Sequence, residues 1–215
     1  MRLLILGASG GVGRWVTRLA SQRGHALTAV VRAETPFDAD GVSVERGDVA
    51  EPSVIRRVVP GHDAVISCLG LRRTSKNPFA RLLSPPDLTE RVTRHVVAAM
   101  RDAGVRRIMA VSAAGVGDSF PLLTWPVKQV VTSGNVAVAY RDLECMEDAL
   151  ETSGLDWLAV RPVTLMDGKP TGRADVVARY GLFSIIRRSD VASWMLDTFE
   201  RSGDFAERRL MLASS

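Results

Sequence analysis

The opening stretch Leu3-Leu4-Ile5-Leu6-Gly7-Ala8-Ser9-Gly10-Gly11-Val12-Gly13 constrains this chain more than any other. A continuous apolar run at 3–6, followed at once by turn residues, reads as a short strand buried on both sides. From Val12 onward Val12, Trp15, Val16, Leu19 and Ala20 follow the i, i+3, i+4, i+7, i+8 spacing of an amphipathic helix. Gly24 stops that helix, because glycine takes the left-handed C′ position without steric penalty. Ala26–Val31 is then a second apolar strand.

The same punctuation returns twice. Residues 91–103 carry Val92, Val96, Ala99, Met100 and Ala103 on one helical face, Gly104 follows, and 108–111 is apolar. Residues 140–152 repeat the pattern, with Gly154 and a strand at 157–160. Short strands at 42–45 and Ala64–Ser67 complete the alternation, which implies a parallel sheet with helices on both faces. Ser189 is placed to cap a helix over 190–200, with Asp190 at its positive end, and 208–212 is a last strand. The irregular stretches 71–87 and 118–126 each follow a strand, where open α/β sheets bind ligands. The expectation is a Rossmann-type, doubly wound α/β domain over 1–215, with a small C-terminal substrate-side segment at 163–190.

Composition removes several function classes. Apolar residues make up 46% of the 215, enough for a sizeable core and too many for disorder. No uncharged apolar run reaches the length of a transmembrane helix, and the start lacks the apolar region of a signal peptide. The expectation is a cytoplasmic protein with no membrane partner. Cys68 and Cys145, and the histidines at 25, 62 and 95, are too scattered for a disulfide framework or a metal site. The net charge of +4 suits an anionic ligand.

Gly7-x-x-Gly10-x-x-Gly13 between a strand and a helix suits a pyrophosphate. Gly7 permits the turn, Gly10 lets the backbone approach closely, and Gly13 lets the helix pack on the sheet. Free N–H groups at the helix start then meet the anion, with Gly11, Val12 and the Ser9 hydroxyl alongside. No Gly-Lys-Ser/Thr follows, so the loop is not a triphosphate loop of the Walker type. The second strand ends Val30-Val31-Arg32, with no carboxylate before Glu34. A carboxylate there suits a ribose 2′-hydroxyl, whereas arginine suits a 2′-phosphate. This favours NADP(H) over NAD(H), with an ordinary solvated charge as the alternative for Arg32.

GASGGVGRWV, VVR, GDV at 47–49, SCLG at 67–70, VSAAGVGDS at 111–119, SGLDWLAVRP at 153–162 and IRRSDVA at 186–192 form an ordered set. The set resembles the atypical short-chain dehydrogenases/reductases, in the branch that includes flavin reductases and biliverdin-IXβ reductase. The resemblance implies that Asp48 and Val49 flank an adenine, and that Cys68, Leu69 and Gly70 line the path to the nicotinamide ribose. It further implies that Ser112 is the active-site serine and that Pro162 and Val163 lie beside the nicotinamide. Cys68 as a small buried residue and Asp48 as a turn former stand as alternatives.

The chain departs from the Tyr-x-x-x-Lys pair of better-known members. Tyr140 has Glu144 four residues on, and a carboxylate there raises a phenol pKa instead of lowering it. As a catalytic candidate Tyr140 is therefore weak, and a core or helix-start role competes. Asp142 stands where the branch often has aspartate, as a proton relay or as a favourable charge in a helix's first turn. Flavin and biliverdin reductases dispense with the pair, since the cofactor carries the chemistry.

Arg72, Arg73, Lys76 and Arg81 with Phe79 make 71–87 basic. It reads as a solvated loop, a cover over an acidic ligand, or a nucleic-acid patch that no nucleic-acid motif accompanies. Arg91, Arg94 and Arg101 read as a wet helix face. The function this supports is hydride transfer from NADPH to a planar small molecule such as a flavin or quinone, by a monomer or homodimer without nucleic acid. Rival readings are a non-catalytic dinucleotide-binding redox sensor and a sugar epimerase or dehydratase.

Overall fold

The computed structural model describes every residue except Lys76, Pro78, Phe79, Ser202 and Ser215. Lys76 and Phe79 of the basic loop therefore lie outside the described residues. Among the described residues ten strands form: β1 (Arg2–Leu6), β2 (Ala26–Val31), β3 (Val42–Arg46), β4 (Ala64–Ser67), β5 (Arg107–Val111), β6 (Asp156–Pro162), β7 (Thr164–Met166), β8 (Asp175–Val176), β9 (Ile185–Arg187) and β10 (Arg209–Ala213). The helices are α1 (Gly11–Gln22), α2 (Pro52–Val58), α3 (Leu88–Ala103), α4 (Trp125–Val131), α5 (Gly134–Glu151) and α6 (Arg188–Phe199).

Eight strands make one sheet in the order β3-β2-β1-β4-β5-β6-β10-β8, and β7 pairs with β9 separately. Every neighbour in the large sheet is parallel except β8, which runs antiparallel on β10 at the edge. β1 shows why its sequence is apolar without alternation. Leu3 and Ile5 pack with α1 and α6 on one face, and Leu4 and Leu6 with α2, α3 and α5 on the other. Chain order reverses between β1 and β4, which leaves a crevice beyond their carboxyl ends.

The glycine stops at 24 and 104 hold, with φ of +80° and +70°. Some boundaries differ from expectation. α3 starts at Leu88 and α5 at Gly134, each upstream of its apolar spacing. α5 opens with Gly134, Asn135, Val136 and Val138, poor helix formers around Ala137, and tertiary packing of Val136 holds them in place. α2 and α4 escape sequence periodicity because each has only seven residues, with proline in the first turn.

Ser189 does not cap α6. The cap position is Arg187, and the Ser189 hydroxyl donates to the Gly168 carbonyl at 2.9 Å. Asp190 is buried and accepts from the N–H groups of Thr171 and Gly172, so it pins the 171–172 loop. Among the described residues no helix is long and apolar enough to cross a membrane.

Candidate functional site

A cleft of about 740 Å³ opens at the β1/β4 reversal, within the roughly 300–1,000 Å³ of ligand pockets. Gly7, Ser9 and Gly10 form its floor, and Val31, Arg32, Asp48 and Val49 one wall. Cys68, Leu69, Gly70 and Leu88 form the other.

The glycine loop is shaped by steric need. Gly7 has φ +76°, and a β-carbon there would stand 2.7 Å from the Cys68 carbonyl oxygen. A β-carbon on Gly13 would stand 2.1 Å from the Gly7 oxygen, so α1 packs on the strand only because position 13 is bare. Gly10 is the cap of α1, no side chain satisfies the first N–H groups, and no acid sits in the first turn. That helix end is left open to an anion. The Arg14 guanidinium donates to the Ser9 carbonyl at 2.8 Å and braces the loop.

Arg32, at the end of β2, is half-buried beside Thr35 and 3.8 Å from Glu34, whose own side chain is 73% exposed. Asp48 lines the cleft and also folds its turn, since its Oδ1 accepts from the Ala50 N–H at 2.9 Å. Burial pushes the Cys68 thiol up to about 12, so it is a neutral wall and not a thiolate. Gly11, Val12 and Gly13 stand behind the floor in the first turn of α1, and Val12 belongs to the core.

Four basic groups stand at the site, and of these the sequence pattern pointed only to Arg72, in the basic loop. Arg72 lines the cleft beyond Gly70. Arg91 and His95 line its far end, and their Nε and Nδ1 are shut off from solvent without a hydrogen-bond partner among the described residues. Their i, i+4 spacing on one helix is a usable signal. The wet-face reading holds for Arg94, paired with Glu90, but not for Arg91. It holds also for Arg101, which is exposed and whose guanidinium in addition donates to the Thr152 and Ser153 carbonyls at the end of α5. The fourth group, Arg188, lies across Gly11, where a β-carbon would be 2.6 Å from its Cδ and Nε, and it pairs with Asp167 at 2.7 Å. Only the fold brings residue 188 to residue 11.

Ser112 follows β5 as expected, yet its hydroxyl points inward and donates to Glu147 Oε1 at 2.5 Å. Glu147 also accepts from Arg161 and Arg209, so Ser112 belongs to a buried polar cluster and is outside the cleft lining. Pro162 ends β6 and Val163 is buried. The Pro162 carbonyl accepts from the Ala114 N–H at 3.0 Å, which places both beside the 112–114 segment and outside the cleft lining.

The Tyr140 hydroxyl donates to the Ala114 carbonyl at 3.1 Å. Burial, then Tyr180, push the phenol far up, with Arg73 opposing. The cause is thus desolvation and not Glu144, and Tyr140 is a neutral donor inside α5 rather than at its start. Asp142 corrects both of its readings. Its carboxylate accepts from the Thr89 and Glu90 N–H groups at 3.1 and 2.9 Å and from the Thr89 hydroxyl. It therefore caps α3 across the helix pair, well inside α5 and away from the cleft. Burial raises its carboxyl, while those hydrogen bonds pull the other way.

The profile of a family described as NAD(P)H-binding matches residues 7–202. The chain is 25% identical to YwnB, an uncharacterised Bacillus subtilis (strain 168) protein, over 97% of this chain and 96% of that one. It superposes on ChuY, an anaerobilin reductase from Escherichia coli O157:H7, with TM-score 0.79 and 26% identity, covering 100% and 97% of the two chains. A Veillonella parvula DSM 2008 short-chain dehydrogenase/reductase, solved with NADP, shares the fold at TM-score 0.78 and 15% identity, covering 98% and 93%.

Proposed function

Since the chain belongs to the NAD(P)H-binding family, we propose that it is an NADPH-dependent oxidoreductase that passes hydride to a planar acceptor such as a flavin or quinone. The observation that carries this reading is the cleft itself. An uncapped helix start, bare glycines and Arg32 face one cavity large enough for a dinucleotide.

The residues fit such a group. Gly7, Ser9 and Gly10 with the start of α1 would hold the pyrophosphate, with the Arg188 charge nearby. Asp48, Val49 and Leu69 would enclose the adenine, and Arg32 would take a 2′-phosphate as a fork of donors. Glu34 is too exposed and too loosely paired to serve as the carboxylate that selects a free 2′-hydroxyl. When bound, the dinucleotide supplies the hydride.

This chain's part is orientation rather than proton delivery. Ser112 donates to Glu147 and Tyr140 to Ala114, so neither hydroxyl stands free toward the cleft. An acceptor that takes its proton from solvent after hydride transfer suits such a site, and a sugar epimerase does not. The same engaged hydroxyls favour a second reading, a redox sensor that binds the dinucleotide and turns over nothing.

The test is a calorimetric titration of NADPH and NADH, with Arg32→Ala beside the native chain, followed by acceptor assays. Tighter NADPH binding that loses its preference in Arg32→Ala supports the cofactor assignment. NADPH oxidation with a flavin or quinone supports the reductase, and binding without any turnover supports the sensor. Binding of neither nucleotide overturns both.

A further inference from the structure

Helix α3 carries three arginines and one histidine, and the fold treats them differently. Arg94 pairs with Glu90 at 3.0 Å, and Arg101 donates to the Ser153 carbonyl at 2.8 Å. Arg91 and His95, one turn apart, line the dinucleotide cleft instead, and Leu88 lines it one turn earlier. The Arg91 guanidinium has no hydrogen-bond or ion-pair partner among the described residues, and its Nε is shut off from solvent. His95 Nδ1 is in the same condition. The other two histidines are not, since His25 meets Glu200 at 2.8 Å and His62 meets the Thr28 hydroxyl at 2.8 Å. The carboxylates of the cleft supply no counter-charge. Glu51 is exposed at the start of α2 and pairs with neither group, and Asp48 turns its Oδ1 to the Ala50 N–H. Polar groups cut off from water and left without a partner are costly unless a ligand completes them.

The surroundings point to the edge of a ring and not to another phosphate. Val49, Leu69 and Leu88 line this part of the cleft and pack on one and the same core cluster. The glycine loop and Arg32 stand elsewhere on the cleft wall as the partners of the pyrophosphate and the 2′-phosphate. An apolar slot that ends in unpaired polar groups suits a heteroaromatic base, whose faces pack against aliphatic side chains and whose edge carries nitrogen acceptors. A guanidinium offers five donors and no acceptor, so its complement on such an edge is a ring nitrogen.

We propose that Arg91 reads the adenine of the dinucleotide by donating to one of its ring nitrogens, at the polar end of the cleft that His95 extends. This rests on the dinucleotide reading and deepens it: Arg91 is a specificity-determining residue for the base.

The test is calorimetric binding of adenosine 2′,5′-bisphosphate and of its 1-deaza, 3-deaza and 7-deaza analogues, in each of which a CH group replaces one ring nitrogen. The expected result is that one analogue binds the native chain about tenfold or more weakly than the parent. Which analogue does so identifies the nitrogen. Arg91→Met keeps a long apolar stem and has no donor. In that variant the parent should weaken by a similar factor and the deficit of the analogue should disappear, while Arg94→Gln, an exposed charge on the same helix, should leave both unchanged. Equal binding of the parent and all three analogues to the native chain overturns the proposal, and so does a deficit that persists in Arg91→Met. NADPH titration of the same samples separates the two readings. NADPH binding with no deficit in any analogue removes the role of Arg91 alone, and binding of neither NADPH nor the bisphosphate removes the dinucleotide reading with it.

Discussion

Arg161 and Glu147 meet in the core through two parallel hydrogen bonds, Nε to Oε1 at 2.9 Å and Nη2 to Oε2 at 2.5 Å. Their side chains are 3% and 2% exposed. The pair joins β6 to α5, and Arg161 continues to Asp118 at 2.7 Å, which ties down the loop after β5. Glu147 also takes the Ser112 hydroxyl and the Arg209 guanidinium. One carboxylate thus ties α5 to β6, β10 and the segment after β5.

Removing that carboxylate leaves Arg161 with only the exposed Asp118 and Arg209 with only the exposed Glu151. Glu147→Gln is expected to lower stability by about 3–5 kcal/mol, because a buried guanidinium loses its buried counter-charge. The double change Glu147→Leu with Arg161→Met should cost less than the sum of the two single changes. Urea unfolding of Glu147→Gln, the two single changes and the double checks this, and additive losses in the cycle would contradict it.

Gly13 lies in the first turn of α1 and Gly24 just past its end, and each is glycine for a different reason. A β-carbon at 13 overlaps the Gly7 oxygen, whereas at 24 it meets nothing within 4 Å. Gly24→Ala should therefore cost only the left-handed backbone term, about 1–2 kcal/mol. Gly13→Ala should cost about 1–3 kcal/mol through forced backbone shifts and weaken NADPH binding as well, because the loop itself moves. Thermal unfolding with and without NADPH separates them: the stabilisation by nucleotide should survive in Gly24→Ala and shrink in Gly13→Ala.

The legible parts of this molecule are those governed by local rules. Leu3 to Leu6, the glycine loop and the apolar spacing of α1 state strand, turn and helix within a few residues. The parallel sheet follows, because the central strands β1, β4 and β6 are buried on both faces. What was hidden depends on distant partners. Asp142 looks like a helix-start charge until α5 is seen to begin at Gly134 and to lie against the start of α3. Ser112 reads as the active-site serine that the resemblance implies, and only Glu147, 35 residues on, turns it inward. Arg188 reaches Gly11 from the other end of the chain.

Asp63 gives the fold an acid-sensitive clasp. Its carboxylate accepts from the Arg2 N–H at 2.7 Å and the Arg2 guanidinium at 3.0 Å. The backbone hydrogen bond first, then the guanidinium, hold this carboxyl below the usual carboxylate range. The folded state therefore binds fewer protons than the unfolded one near the unfolded value of about 3.9. Its contribution is complete above that value and is lost as pH falls through the lower folded value. With side chains 62% and 38% exposed, the effect is expected at only about 0.3–0.5 kcal/mol after solvent screening. Urea midpoints between pH 2.5 and 6 should converge for the native chain and Asp63→Asn at the acid end and separate above it. Parallel profiles would count against the clasp.

Asp142 decides between chemistry and capping. Its carboxylate serves two backbone N–H groups and the Thr89 hydroxyl at the start of α3, and the side chains at that helix's own cap position make no such bond. Asp142→Ala leaves these donors unsatisfied in a buried place, so a loss of about 1–3 kcal/mol is expected. Asp142→Asn keeps one acceptor oxygen and should lose less. A proton relay would behave differently, since Asp142→Asn would then shift the pH profile of kcat as strongly as Asp142→Ala. A cap leaves the shape of that profile unchanged in both variants and moves only Tm. Measuring the two quantities on the same preparations separates the roles, and a displaced acid limb in Asp142→Asn would return this residue to the proton chemistry of the site.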